Sequence, residues 1–272
     1  MSTQIIADHP AWSATPKGEQ ARVVEHQGDA WLAVWNPHDE HLALWAVTGD
    51  AAAEQPLVDY TSPIELPVAP EEAVPLLDEL VRLGSVARLT NPSLWDAIVT
   101  AVLRQSTGQA RQRHRSFYAA YGRGFVTSAG EFAIAPTPEV VLALSDDGFA
   151  AVGGTFSRAA LRAAAEAFLE HGEQWATLAP ESLAKELGEV PRISPWTAAT
   201  AAADFTGDFS IYPVADLAVR TWACAAAPGL TLPSSDREFE ALWRRWAPTR
   251  AQLHALTLFT LAYGSHRSQG RG

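Results

Sequence analysis

Two helix starts lie about twenty residues apart in the stretch 191–222, and their spacing constrains the fold more than any other feature of the chain. Ser194-Pro195 opens the first, with Pro195 at a first helical position where its missing N–H costs nothing. Pro213-Val214-Ala215-Asp216 opens the second, with Asp216 at the N-cap. The short run Val190-Pro191-Arg192-Ile193-Ser194 before Pro195 reads as a tight turn between two helices. Such a hairpin presents backbone amides to an anion, and the helix dipole at Asp216 favours a negative charge there.

The chain around this segment has 272 residues and 47% hydrophobic content, enough for a sizeable core in one or two domains. No apolar run approaches a membrane span, and MSTQIIADHPAW does not read as a signal peptide, so the expectation is a cytoplasmic protein, taken as a monomer. The single cysteine, Cys224, excludes an intramolecular disulfide, a cysteine-cluster zinc site and a four-cysteine iron–sulfur cluster. Its apolar helical setting reads as an inert buried thiol. Net charge is −11, but residues 1–90 carry 4 Lys/Arg against 14 Asp/Glu and residues 91–272 carry 16 against 17. The acidity therefore sits in the N-terminal third. No strong basic patch is visible in the rest, so non-specific affinity for nucleic acid should be weak.

Residues 20–47 alternate in three short runs separated by Gln-Gly-Asp and Asn-Pro-His-Asp-Glu, which predicts an antiparallel meander. A proline-bearing loop near 55–70 marks a boundary, giving a small β-rich unit at 1–70 and a helical region at 71–272. Helical spacing or caps predict helices near 71–83, from Asn91, after Thr137-Pro138, at 159–169, 180–187, 195–203 and 216–227, from Ser235, and at 249–263.

The run Val190-Pro191-Arg192-Ile193-Ser194-Pro195-Trp196-Thr197-Ala198 and the segment Tyr212-Pro213-Val214-Ala215-Asp216-Leu217-Ala218-Val219-Arg220 together resemble the helix-hairpin-helix DNA glycosylases, in particular the AlkA-like 3-methyladenine DNA glycosylase II group. Asn91-Pro92 through Arg104-Gln105-Ser106, Gly154-Thr155-Phe156-Ser157 and Trp246-Ala247-Pro248-Thr249-Arg250 extend the resemblance to roughly residues 90–260. The likeness implies a mostly α fold with an α+β N-terminal domain. It implies a damaged base, an alkylated purine, hydrolysed from double-stranded DNA.

Asp216 would be the catalytic carboxylate that stabilises a cationic sugar; its plain alternative is a helix cap only. Trp196 stands where lyase-active relatives carry a Schiff-base lysine, which implies hydrolysis without strand cleavage. It can equally be core or a stacking surface for a flipped base. Gln105, Tyr212, Leu258 and Phe259 complete the expected base pocket. Arg192, Ile193, Ser194, Thr197, Arg220 and Arg250 are the expected DNA contacts. Arg192 and Ser194 replace the two glycines usual at this hairpin, which bears on both its phosphate contact and its monovalent cation at the 190–195 backbone. No cofactor is implied. The chain shows no phosphate-binding glycine loop, no Gly-x-Ser-x-Gly and no helical metal spacing among its eight histidines. The other reading is a diverged relative that kept the fold and binds nucleic acid or protein without efficient catalysis.

Overall fold

The structure is a computed structural model that describes residues 2–6, 9–50, 52–68, 70–105 and 109–269, with side chains as far as 266. The expected meander is present as β2 (Ser13–Ala14), β3 (Gln20–His26), β4 (Asp29–Asn36) and β5 (His41–Ala46), in that order in one antiparallel sheet. A second sheet has β1 (Thr3–Ile5) parallel to β7 (Ser85–Leu89), with β6 (Val58–Thr61) antiparallel on the other side of β7. Between β6 and β7 runs α1 (Val74–Val81), so this sheet continues past residue 70.

The helical body comprises α2 (Leu94–Arg104), α3 (Ala110–Tyr121), α4 (Pro138–Ala143), α5 (Asp146–Ala151), α6 (Arg158–Trp175), α7 (Pro180–Gly188), α8 (Pro195–Thr206), α9 (Leu217–Ala226), α10 (Asp236–Trp246) and α11 (Arg250–Gln269). A hairpin of β8 (Arg123–Thr127) and β9 (Gly130–Ile134) interrupts it. Sequence periodicity does not announce this hairpin. It lays Phe125, Phe132 and Ile134 on the β3–β4 face around Val23 and Leu32.

Two helical cores follow from where the apolar faces meet. One joins α2 to α8 through Val99, Leu103, Phe117, Leu161, Leu183 and Ala202. The other folds the C-terminal helices back onto α1 and β7, with Leu76, Leu80, Val86, Phe239, Trp243 and Phe259 at its centre. The second contains Ile6 and Leu66 as well, so the N-terminal strands and the last helices share one interior.

A buried ionic network ties the sheets to the helices. The Arg22 guanidinium pairs with Asp96 at 3.0 Å, and Arg88 with Asp204 at 2.8 Å. Asn91 Nδ2 donates to both carboxylates, at 2.8 Å to Asp96 and 2.7 Å to Asp204. Tyr118 donates its hydroxyl proton to Asp96 at 2.7 Å, and the His9 ring lies 3.3 Å from the same carboxylate. Each of the two buried carboxylates thus has a guanidinium and a neutral donor, the arrangement that makes burying ions tolerable, while Arg22 Nε and Arg88 Nη1 are buried without a hydrogen-bond partner. No helix among the described residues is long and apolar enough to cross a membrane.

Candidate active site

Asp216 caps α9: its Oδ1 accepts the Ala218 N–H at 2.6 Å, which satisfies one of the orphan amides of that helix start. Its Oδ2 accepts the indole N–H of Trp196 from the first turn of α8. The two helices predicted from Pro195 and Asp216 therefore meet at a carboxylate. Both residues line a cleft of about 880 Å³, together with Arg104 of α2, its C-cap Gln105 and Ala110 of α3. A carboxylate has about four acceptor positions. Trp196 and Ala218 take two, which leaves acceptor capacity for a cation entering the cleft.

Trp222, one and a half turns beyond Asp216 on α9, also lines the cleft and escaped the sequence reading. Its indole packs where a Cβ on Gly264 of α11 would stand, 2.2 Å from the indole nitrogen. A glycine across from a tryptophan on another helix leaves no mark in local sequence.

The hairpin turn closes although both glycine positions are filled. Arg192 adopts φ +70, the left-handed conformation for which glycine is the easy residue. Ser194 is in ordinary extended backbone and caps α8, accepting from Thr197 N at 3.1 Å. Gln105 at the end of α2 donates its amide to Thr197 Oγ1, so α2 and the hairpin are fastened beside the cleft. Ile193 is buried beneath the turn. Arg192 is exposed and forms no hydrogen bond or ion pair among the described residues.

A cation at 190–195 fits poorly. The turn's one charged side chain, Arg192, is itself positive, and its one side-chain oxygen, Ser194 Oγ, already accepts from Thr197 N. It is given no role below.

Five other expected site residues lie elsewhere or are engaged. Leu258 and Phe259 are 1% and 0% exposed, inside the C-terminal core and away from the cleft. The physical reason is α11 itself. It is buried on all sides from 255 to 263, so a large apolar residue there goes to the core. Tyr212 is buried too, stacked on Phe209 with ring centroids 5.6 Å apart, and faces a separate inner cavity of about 30 Å³. Arg250 pairs with Glu181 at 2.6 Å and with Asp208, bridging α7, α11 and the segment after α8. Arg220 touches the cleft rim, but it binds Asp236 at 2.7 Å and the Ser234 carbonyl at 2.7 Å, which anchors the strand of chain before α10. Ser106 lies outside the described residues.

With this geometry in view, the comparisons with solved structures are informative. An 8-oxoguanine glycosylase/lyase from Clostridium acetobutylicum, in complex with double-stranded DNA, superimposes with a TM-score of 0.70 at 12% identity, covering 97% of this chain and 90% of that one. The 3-methyladenine DNA glycosylase from Archaeoglobus fulgidus gives 0.67 at 17% identity, covering 97% and 92%. The fold is that of the helix-hairpin-helix DNA glycosylases. MBOgg1, in complex with a low-affinity DNA ligand, gives 0.67 at 12% identity, covering 95% and 89%. No family model and no curated protein matches the chain.

The glycosylase fold therefore places a carboxylate, two indoles and a capped helix start in one open cleft. Among its described lining residues there is no histidine, glutamate, tyrosine or lysine. The other carboxylate there, Asp236, is tied to Arg220.

Proposed function

We propose that this protein is a DNA glycosylase that hydrolyses the N-glycosidic bond of a damaged base in double-stranded DNA, without a lyase step. The observation that carries the reading is the Asp216 carboxylate in the cleft, held by Trp196. Base loss builds positive charge on the sugar, and a fixed carboxylate beside it lowers the barrier. Of two proteins of the same fold, one is by name a 3-methyladenine DNA glycosylase and the other an 8-oxoguanine glycosylase/lyase bound to double-stranded DNA.

The composition of the cleft favours an alkylated purine. Such a base leaves as a neutral molecule from a cationic one and needs no protonation. A neutral base would need a general acid, and the cleft's described residues offer none besides the carboxylates. The missing lyase step rests on Trp196 and on the scarcity of amines. The chain has two lysines, Lys17 and Lys185, and neither lines the cleft.

The test is excision from a duplex carrying an alkylated purine. Asp216→Asn keeps a capping oxygen and should lower the single-turnover rate by about 100-fold or more. The product should be an intact abasic strand, and borohydride should trap no covalent adduct. Equal rates for the two proteins would leave Asp216 as a cap alone.

A second reading, a binding module that kept the fold, is favoured by the loss of both hairpin glycines and by the internal engagement of Arg220 and Arg250. Tight duplex binding with no excision of any damaged base would select it.

A further inference from the structure

We infer that Gly264 sets the depth of the Asp216 cleft, and with it the size of base the cleft admits, by letting the Trp222 indole lie flat on the backbone of α11. The inference rests on the glycosylase reading, and the experiment below separates the two.

Gly264 is buried inside α11. A glycine there works against its own helix, because alanine gives up less backbone freedom on folding. Local sequence choices that work against their own element mark functional positions. The backbone does not ask for the glycine either. Among the described glycines, four have another group closer than 3.0 Å to where a Cβ would stand: Gly49, Gly84, Gly122 and Gly264. Gly49 and Gly84 have positive φ, and Gly122 is the C-cap of α3. Of the four, Gly264 is the one in a helix interior, so a neighbour excludes its side chain and a turn does not.

The neighbour is Trp222. A Cβ at 264 would stand 2.2 Å from the indole nitrogen and 2.4 Å from both Cδ1 and Cε2, the two carbons bonded to it. A point beyond the ring edge would be much nearer the nitrogen than the carbons. Near-equal distances place it over the face of the five-membered ring. One face of the indole therefore rests on the α11 backbone. Trp222 also lines the cleft that holds Asp216. The ring is thus a thin wall between α11 and the cleft. It has no room to retreat, because Tyr263 fastens α11 to the end of α9 by donating its hydroxyl to the Ala225 carbonyl at 3.3 Å. A side chain at 264 would drive the ring towards the cleft by more than about 1 Å, the shift that restores ordinary carbon contact.

Trp222 stands six residues beyond Asp216, about 9 Å along the axis of α9. A base whose sugar is held at Asp216 enters the space that this wall bounds. Gly264 is then a positioning residue, which touches no DNA and acts through the indole. Size selection of this kind is steep, since one methylene in a pocket changes a rate by about 10-fold to 200-fold.

The experiment is single-turnover excision by the full chain from duplexes carrying 7-methylguanine or the larger ethenoadenine. Gly264→Ala should slow 7-methylguanine excision by about tenfold or more. Its affinity for a duplex with a tetrahydrofuran abasic site should be unchanged, because no base meets the wall there. Adding Trp222→Phe, whose smaller ring leaves room for the methyl, should bring the rate to within about threefold of Trp222→Phe alone. A purely structural role would weaken abasic binding along with excision. Trp222→Ala leaves α11 untouched and opens the cleft, so it decides the matter even if Gly264→Ala does not fold. It should raise excision of ethenoadenine relative to 7-methylguanine by about tenfold.

Gly264→Ala at full rate, a loss that Trp222→Phe fails to repair, or an unchanged ratio in Trp222→Ala would overturn the inference and leave the glycosylase reading standing. Wild-type protein that excises neither base would sink the alkylpurine glycosylase reading itself. The cleft depth is then read from binding. Trp222→Ala should tighten binding of the ethenoadenine duplex relative to the abasic one, and an unchanged ratio of affinities would overturn the inference.

Discussion

Asp216 gives one oxygen to its own helix and the other to the indole of Trp196. That second bond gives Trp196 a job distinct from stacking, namely to hold the carboxylate in one orientation. A hydrogen bond to a charged group contributes about 1.5–3 kcal/mol. Trp196→Phe keeps an aromatic ring and removes the donor, so it should slow excision by about tenfold or more while leaving affinity for abasic DNA unchanged. In an Asp216→Asn background the same change should cost nothing further, because the charge it positions is gone. A Trp196→Phe enzyme at full rate, or additive losses in the double variant, would return Trp196 to a stacking or packing role. Asp216 and Trp196 were both legible in the sequence because each sits inside a motif with a helix start to fix its direction. Leu258 and Phe259 were misplaced because chain position on α11 does not say which face meets the cleft, and burial settled it.

The α7–α8 turn shows what an element retains when its usual residues change. Arg192 accepts the left-handed conformation at a cost of roughly 1–2 kcal/mol, as L-residues do there. Arg192→Gly should therefore raise stability by about 1 kcal/mol and at the same time weaken DNA binding by the loss of one charge. Arg192→Ala should lose the binding without the gain in stability. Thermal melts beside salt-dependent binding curves separate the two effects, and no stabilisation in the glycine variant would mean that the turn is not strained.

Helices with strong apolar periodicity and a capping residue, such as α2 behind Ser93 and α10 behind Ser235, were readable. α3 was not, because its 12 residues run ARQRHRSFYAAY and only His114, Phe117 and Tyr118 are buried. The β8–β9 hairpin was missed for a related reason. Each strand has five residues, and none is fully buried. It is held by packing on β3 and β4, which no local pattern encodes.

At the scale of the whole molecule, the join between sheets and helices depends on groups that do not tolerate acid. Burial lowers the pKa of His9, with Arg22 adding to the effect against the pull of Asp96 and Asp204. Burial pushes His114 well below the ordinary histidine value, and His9 and Arg22 reinforce it. His254 is lowered by burial more than nearby Asp208 raises it. For Asp96, burial would raise the pKa, but its partners, His9 and Arg22 among them, outweigh that and hold it below the carboxylate range. This network joins residues 9, 22, 96, 114 and 118, too far apart in the chain for any spacing rule to reveal it.

Its consequence is directional. An unfolded chain takes up protons on these three histidines below about pH 6.5. The folded chain does so only at lower pH. Stability therefore falls as pH drops through that value, with a slope of up to about 4 kcal/mol per pH unit if all three contribute. The contribution of Asp96 has the other window. It is complete above the unfolded pKa of about 3.9 and is lost only as pH falls towards the depressed folded value. The melting temperature should thus decline between pH 7.5 and 5, above the window in which the contribution of Asp96 is lost, and His9→Gln should reduce the slope by about one proton. A melting temperature flat across that range would show that these rings protonate freely in the folded protein, and the histidines could then not be buried as the structure has them.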